Sequence, residues 1–295
     1  MYKPTAKGYF SGCGGMELGI QNAGVQIIQS LDIDKQATAC MQANPHYFDH
    51  PVLTEDISNK LVIPQQKSDI IIGTYPCTKY STIADIHGTR TGDELYLHFF
   101  RHIALEQPEM YILENVPGMK KFPTVMEAMT RLPGYYVNVF CPLNASIWLP
   151  QERKRLILVG TKKPFFMQAP ASATRRPRIK DILETDVDVS LPDYVKARLT
   201  GNYRDKPIIV DPDDNNAIAP TCVAHYAKDR GTRMVKTDQN EYGARPFTIR
   251  EYARLQGFPD DFVFPDGLEA FRLIGNAVPV HMAQWVGQQA MHYFN

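Results

Sequence analysis

The chain has 295 residues, 44% of them hydrophobic, and its 32 basic and 32 acidic residues give a formal net charge of zero. This length can form one large α/β domain, or one domain that carries a smaller second one. A neutral chain is not a generally basic nucleic-acid-binding protein, so any basic contact surface must be local.

Cysteine spacing and hydropathy indicate the compartment of the protein and exclude some kinds of site. The five cysteines form no CxxC motif and no metal-ligand spacing, which indicates a reducing compartment and no metal site. The start lacks an apolar signal region, and no stretch is long enough to span a bilayer. We therefore expect a cytoplasmic protein without a membrane partner.

A glycine-rich bend follows the first predicted strand, which ends at Phe10. The sequence SGCGG, which contains Gly12 and Gly14, leads there into an amphipathic helix. Such a bend lets a ligand approach the backbone closely, because no Cβ stands in the way. Glu17 occupies the place of a third glycine, and an acidic first turn disfavours a pyrophosphate. We expect a cofactor with little negative charge.

Acidic residues follow at positions suited to a nucleoside. Asp32 ends the second predicted strand, where a carboxylate can accept hydrogen bonds from both ribose hydroxyls, and Ile33 would lie beside the adenine. Asp34 is better placed to cap the next helix. Asp56 could accept from the adenine amino group, although an Asp before a Ser in a loop is more often part of a turn.

A buried strand ends at a Pro-Cys pair in the sequence DIIIGTYPCTKYS, residues 69–81. An apolar run of this kind is typical of a strand buried on both faces, and the residues after it lie at the carboxyl edge of a sheet. Ligands and reactive groups gather at that edge. This makes Cys77 a candidate nucleophile, with a buried core thiol as the plain alternative.

The strand in MYILENVPGM delivers Glu114 and Asn115 to the same edge. Burial of a carboxyl favours its protonated form, so Glu114 is a candidate proton donor; a structural ion pair is the alternative. In QERKR an extended backbone would place Gln151, Arg153 and Arg155 on one side. Arginines there could bind an oxygen and help ionise a thiol, or could form a solvated face.

The composition changes between residues 164 and 244, where the hydrophobic periodicity is weak and Pro and Asp are more frequent. We predict a catalytic domain over 1–163 that is completed by 245–295, and a small loop-rich domain over 164–244. Thr248 and Glu251 form a capping box. A final helix, roughly Met282 to Tyr293, should pack on the first domain, with Asn276 near its N-terminus.

Taken together, FSGCGG, DID, the Pro-Cys pair, ENV, QERKR, REYARLQGFP and GNAVP occur in the order seen in cytosine-C5 DNA methyltransferases. The chain resembles this family over nearly its whole length apart from 164–244. The resemblance implies a Rossmann-like α/β sheet with helices on both faces, plus a small target-recognition domain. It also implies methyl transfer from S-adenosylmethionine to a flipped cytosine in double-stranded DNA.

The resemblance further implies site residues. The cofactor would be held by Phe10, Gly12, Gly14, Asp32, Ile33, Asp56, Ile57 and Asn276. The catalytic set would be Cys77 as nucleophile, Glu114 and Arg155 on the target cytosine, and Arg153 or Arg155 helping to ionise the thiol. The substrate would also contact Pro76, Ser81, Asn115, Val116 and Gln151. We expect a monomer in the cytoplasm of a prokaryote or a phage-infected cell, with or without a separate cognate restriction endonuclease.

Several departures from the family pattern leave alternatives open. Thr78 and Lys79 follow the Pro-Cys pair, and Thr74-Tyr75 replaces a Gly/Pro-rich pair. A tRNA-methylating branch has a Cys-Phe-Thr element, of which this chain has only Cys222. A catalytically silent DNA-binding relative is a second alternative. A nicotinamide-dependent oxidoreductase is disfavoured by Glu17 and by the lack of a hydride-handling His or Tyr-Lys pair.

Overall fold

A seven-stranded sheet is the main feature of the computed structural model, which describes residues 2–63, 66–76, 95–171, 176–202, 204–205 and 207–295. The strands are β1 (Thr5–Tyr9), β2 (Gln26–Asp32), β3 (Val52–Thr54), β4 (Ile70–Gly73), β5 (Met110–Asn115), β6 (Tyr136–Asn144) and β7 (Lys154–Thr161). Their order is β3-β2-β1-β4-β5-β7-β6. Strands β1 to β5 run parallel, and β7 is antiparallel to both β5 and β6. This order confirms the predicted Rossmann-like α/β sheet.

The strand order reverses between β1 and β4. The chain passes from β1 to β2 on one side, whereas β4 pairs with β1 on the other side. In register, Tyr9 pairs with Gly73, and Gly73 pairs with Leu113. The carboxyl ends of three parallel strands therefore lie side by side at a switch point, where open α/β sheets bind their ligands.

Burial of β4 and β5 agrees with their apolar sequences, since every residue of both strands is buried. This burial is expected of central parallel strands that are covered on both faces. A Cβ on Gly73 would lie 2.4 Å from the Phe99 ring. Glycine is thus required where β4 ends, because any larger residue would displace the ring.

The described helices are α1 (Gly15–Asn22), α2 (Lys35–Gln42), α3 (Leu95–Glu106), α4 (Pro123–Thr130), α5 (Ile179–Ile182), α6 (Asp193–Thr200), α7 (Ile249–Leu255), α8 (Leu268–Asn276) and α9 (Val280–Phe294). The predicted capping box at α7 is confirmed. Glu251 N donates to Thr248 Oγ1 at 3.1 Å, and Thr248 N donates to Glu251 Oε2 at 2.9 Å. None of the helices in the described part of the chain is long and apolar enough to cross a membrane.

The chain divides into two compact units. The first contains Met1–Asn144, Lys154–Pro170 and Met282–Asn295, and it includes the seven-stranded sheet. Within it, Trp285 of α9 packs edge-on against Phe140 of β6, with ring centroids 5.0 Å apart. Residues 145–153 and 245–281, which we predicted to belong to the catalytic domain, fall in the second unit of this division. The boundaries of the functional domains remain a prediction.

The second unit contains Ala145–Arg153 and Ala171–His281. Its small sheet has the order β10-β9-β8, built from β8 (Ile208–Val210), β9 (Arg233–Lys236) and β10 (Ala244–Pro246). A separate apolar cluster lies in this unit and is formed by Leu191, Val195, Met234 and Ala244. The second unit therefore has a core of its own.

Candidate active site

The bend after β1 is held open by its backbone geometry. Phe10, Gly12 and Gly14 all have positive φ, at 61°, 56° and 85°. A Cβ on Gly14 would lie 2.4 Å from the Phe48 ring, whereas a Cβ on Gly12 would meet no atom within 4 Å. Glycine is thus needed at position 14 for close packing. At position 12 it leaves open space over the backbone that a ligand can occupy.

Asp32 at the end of β2 fixes this bend. One carboxylate oxygen, Oδ2, accepts from Gly12 N at 2.7 Å, and the other, Oδ1, accepts from Asp34 N at 2.9 Å. Burial raises the pKa of the Asp32 carboxyl. Each carboxylate oxygen has a further acceptor site, so Asp32 can hold the bend and still accept from a ligand hydroxyl.

Asp34 caps the next helix, as predicted. Its Oδ1 accepts from Gln36 N at 2.9 Å, within the first turn of α2. The two acidic residues therefore differ in what they hold: Asp32 holds the bend after β1, and Asp34 holds the start of α2.

The predicted adenine contacts differ in exposure. The side chain of Ile33 is exposed, with 65% of its surface accessible, whereas Ile57 is 2% exposed and belongs to the core. Asp56 accepts from Ser58 N at 2.9 Å, and this backbone hydrogen bond lowers the pKa of its carboxyl. Ile33 can thus present an apolar surface to a ligand, Asp56 takes part in a turn, and the side chain of Ile57 is buried in the core.

Glu114 and Arg155 form an ion pair at the carboxyl edge of the sheet. Arg155 Nε donates to Glu114 Oε1 at 2.7 Å, and the two side chains are 12% and 9% exposed. Arg155 Nη1 also donates to Lys154 O at 2.8 Å. Burial favours the neutral acid, while the adjacent guanidinium favours the carboxylate. The ion pair named as the alternative for Glu114 is thus present, and its partner is the arginine predicted to bind cytosine.

Asn115 anchors the segment that leads to Cys77. Its amide Nδ2 donates to Tyr75 O at 3.1 Å, its Oδ1 accepts from Val116 N at 2.8 Å, and the residue is 2% exposed. Both the amide nitrogen and the amide oxygen of Asn115 therefore have a partner inside the protein, and its predicted contact with the substrate stays a prediction. Pro76 is exposed and Val116 is half-buried. Cys77 and Ser81 lie outside the described residues.

Gln151 is fully buried in the second unit. Its Nε2 donates to Leu255 O at 2.8 Å and to Gln256 Oε1 at 3.0 Å, while its Oε1 accepts from Cys222 N at 2.8 Å. No part of this amide is accessible, with 0% of the residue exposed. Its described contacts are therefore structural.

Arg153 is 2% exposed and binds main-chain carbonyls of the same unit. Its Nη1 donates to Cys222 O at 2.6 Å, and its Nη2 donates to Gly275 O at 3.0 Å and Ala277 O at 2.8 Å. These bonds hold the GNAVP loop. Asn276 in that loop is exposed and is the last residue of α8, four residues before α9 begins.

Two side chains near the site were not assigned a role in it from the sequence. Glu17 is 1% exposed and lies against β1, since a Cβ on Gly8 would be 2.1 Å from Glu17 Oε1. Burial raises the pKa of Glu17 to about 7. Thr74 donates to Phe10 O at 2.7 Å. The only sequence signal for Thr74 was that Thr74-Tyr75 replaces a Gly/Pro-rich pair. Its hydrogen-bond partner, Phe10 O, is 64 residues away in the chain and could not be predicted.

Known proteins share this architecture. A family model described as C-5 cytosine-specific DNA methylase matches residues 8–292. The chain is 28% identical to the type II methyltransferase M.Sau96I of Staphylococcus aureus, over 97% of this chain and 75% of that protein. It is 29% identical to the type II methyltransferase M.HpaII of Haemophilus parainfluenzae, over 96% of this chain and 87% of that one.

A structural comparison supports the fold. The structure of the Entamoeba histolytica methyltransferase EhMeth matches with a TM-score of 0.82 and 18% identity, covering 100% of both chains. Because the family model spans nearly all of the sequence, including the bend after β1, the ENV segment and the GNAVP loop, the chain belongs to the C-5 cytosine-specific DNA methylase family.

Proposed function

We propose that the protein transfers a methyl group from S-adenosylmethionine to C5 of a flipped cytosine in duplex DNA, through a covalent bond between Cys77 and C6. The register of β1, β4 and β5 carries this proposal. It places Tyr9 and Gly73, the last residues of β1 and β4, side by side, with Leu113 of β5 next to Gly73. The open bend, the segment leading to Cys77 and the Glu114–Arg155 pair therefore start from one edge of the sheet.

The residues at the bend fit the cofactor. The space over Gly12 admits a ligand, Asp32 has acceptor capacity left for ribose hydroxyls, and Ile33 offers an exposed apolar side chain for the adenine. The proposed cofactor-binding set is completed by Phe10, Gly14, Asp56, Ile57 and Asn276. The bound cofactor would supply an electrophilic methyl group on a sulfonium.

Cytosine C5 is a poor nucleophile, and this explains the need for a thiolate. Addition of the Cys77 sulfur to C6 moves electron density to C5, which can then take the methyl group. Loss of the C5 proton then expels the sulfur. The thiolate must be stabilised, since a free thiol has a pKa of about 8.5.

Glu114 and Arg155 would bind the flipped base. Glu114 would hydrogen-bond N3 and the exocyclic amine, sharing a proton as charge develops on the ring. Arg155 has five donors, of which one reaches Glu114 and another reaches Lys154 O. Its other donors can polarise the cytosine O2. The ion pair thus orients the two groups before the base arrives.

The contacts of Gln151 and Arg153 change their proposed roles. Both are buried and bind groups within the second unit, so we propose that they position other residues rather than touch the base. Arg153 would hold the GNAVP loop, and both would hold Cys222. Thiolate stabilisation is then assigned to Arg155. Residues 164–244 are proposed to recognise the DNA target.

The biological setting follows from the family. We propose a monomer that acts in the cytoplasm of a prokaryotic or phage-infected cell, as the modification enzyme of a site that a separate restriction endonuclease could share. Flipping a base costs a few kcal/mol, which contacts of the protein with the DNA backbone would offset. The segment between Ser81 and Gly92, outside the described residues, is proposed to close over the site.

Methyl transfer to different acceptors tests the proposal. The purified protein is incubated with methyl-labelled S-adenosylmethionine and either unmethylated duplex DNA or transfer RNA, and 5-methylcytosine is measured. We expect label in duplex DNA only. Label in transfer RNA alone would assign the protein to the RNA-methylating branch, and no label in either acceptor would indicate a silent relative.

A further inference from the structure

Thr74 connects the bend after β1 to the segment that carries the nucleophile. Its hydroxyl Oγ1 donates to Phe10 O at 2.7 Å, and its backbone N donates to Tyr9 O at 3.3 Å. We propose that Thr74 is a positioning residue for methyl transfer, which fixes the bend relative to Pro76 and Cys77. This inference rests on the proposed function and adds a residue to it.

The bend needs such support because Phe10 has an unfavourable backbone conformation. Its φ of 61° lies in the left-handed region, which an aromatic residue with a Cβ rarely adopts. On the β2 side, Ser11 N donates to Leu31 O at 3.0 Å. On the β4 side, the Thr74 hydroxyl holds the Phe10 carbonyl. Removing this hydroxyl frees one side of a strained peptide.

The other end of the segment is tied to β5. Asn115 Nδ2 donates to Tyr75 O at 3.1 Å, and the Tyr75 hydroxyl donates to Met119 Sδ at 3.3 Å. The rings of Phe10 and Tyr75 also meet edge-on, with centroids 6.1 Å apart. Residues 74 and 75 are thus held between the bend and β5, directly before Pro76.

Pro76 limits how the chain can relax. Proline fixes its own φ and restricts the residue before it to extended conformations. A shift at Thr74 would therefore change how the chain enters Cys77, because Tyr75 and Pro76, the two residues between them, have limited conformational freedom. Methyl transfer depends on this position, since misplacing a reacting group by about 1 Å can slow a reaction roughly 100-fold.

The departure at position 74 thus has a physical explanation. Threonine replaces part of the Gly/Pro-rich pair typical of the family, and its hydroxyl supplies a bond between the bend and the segment. Glycine or proline has no side-chain donor and could not make this bond.

Two variants and a matched control test the role of Thr74. Thr74→Val removes the hydroxyl but keeps the shape, and Thr74→Ser keeps the hydroxyl. Thr130→Val is the control, because Thr130 Oγ1 donates to Met126 O at 2.6 Å in α4, a bond of the same kind in the same unit. For each protein we would measure the single-turnover rate of methyl transfer to DNA, the dissociation constant for S-adenosylhomocysteine and the melting temperature.

We expect Thr74→Val to slow single-turnover methyl transfer at least about tenfold, with the cofactor dissociation constant changed less than about threefold. Thr74→Ser and Thr130→Val should stay within about threefold of the wild-type rate. An unchanged rate in Thr74→Val would overturn the inference, as would equal slowing in Thr130→Val or failure of serine to restore the rate. A wild-type protein without methyl transfer would instead overturn the proposed function, and this inference with it.

Discussion

The guanidinium of Arg155 lies 2.7 Å from the carboxylate of Glu114, and both side chains are about nine-tenths buried. The two residues come from adjacent antiparallel strands, β5 and β7, where Glu114 pairs with Ile157. Neither residue depends on a flexible loop for its position. In the proposed function, this pair holds the planar base by its edge once the base has left the DNA helix.

Replacing Glu114 with Gln should slow methyl transfer by about 100-fold or more, because an amide cannot share a proton with N3 and a positioned acid or base contributes that much. Cofactor affinity should change little, since Glu114 is not among the residues proposed to hold the cofactor. Single-turnover kinetics and calorimetry with S-adenosylhomocysteine measure the two effects. Comparable losses in rate and affinity would contradict the assigned role.

Asp32 and Asp34 offer a matched pair for the cofactor site. Asp32→Ala should raise the dissociation constant for S-adenosylhomocysteine at least about tenfold, because it removes the proposed ribose acceptor and the bond to Gly12 N. Asp34→Ala should lower the unfolding free energy by about 1 kcal/mol through loss of the α2 cap. It should leave the dissociation constant for S-adenosylhomocysteine unchanged. Equal affinity losses in both variants would remove the distinction between the two aspartates.

Glu17 should make stability fall with rising pH. Burial raises its pKa from 4.5 to about 7 in the folded protein, so the folded state keeps a proton that the unfolded state has lost. The unfolding free energy therefore decreases as pH rises between 4.5 and 7, by about 3 kcal/mol in total. Below this window the contribution is constant.

Glu17→Gln imitates the neutral acid and should remove this dependence. Urea unfolding should find the variant about 3 kcal/mol more stable than wild type at pH 8, and within about 1 kcal/mol at pH 5. Glu127→Gln, at a side chain 61% exposed, is the control and should change stability little at either pH. A Glu17→Gln variant that is less stable than wild type at pH 8 would show that the ionised form is the one the fold uses.

Arg153→Lys should destabilise the protein by about 2–4 kcal/mol, because one ammonium cannot satisfy three buried carbonyls in the geometry of a guanidinium. The folded variant should keep its methyl-transfer rate within about tenfold. Denaturation and single-turnover assays on the same preparation measure both quantities. Unchanged stability with a collapsed rate would restore the catalytic role predicted from the sequence.

Local patterns predicted the features that depend on neighbouring residues. The apolar runs of β4 and β5, the Asp34 cap and the Thr248–Glu251 capping box are each determined within a few residues. The order of the family motifs indicated which segments lie together at the carboxyl edge of the sheet. The connection rules of parallel sheets reduce the number of possible strand orders but do not select one of them.

Long-range contacts could not be predicted in this way. The alternation expected for QERKR holds only within a strand, and β7 begins at Lys154, after Gln151 and Arg153. Both residues bind carbonyls or amides 69 to 124 positions away in the chain. Contact partners so far away in the chain leave no local signal in one sequence.

The start of the final helix was also predicted only approximately, since the helix begins at Val280 rather than Met282.

The measurement that tests the central claim most directly is trapping of a covalent adduct with 5-fluorocytosine in duplex DNA, in the presence of S-adenosylmethionine. Fluorine cannot leave C5 as a proton does, so the Cys77 sulfur should stay bonded to C6. We expect a denaturation-resistant complex of protein and DNA, mapped by mass spectrometry to Cys77 and absent in Cys77→Ala. A wild-type protein that methylates DNA without forming this adduct, or an adduct at another residue, would contradict the account.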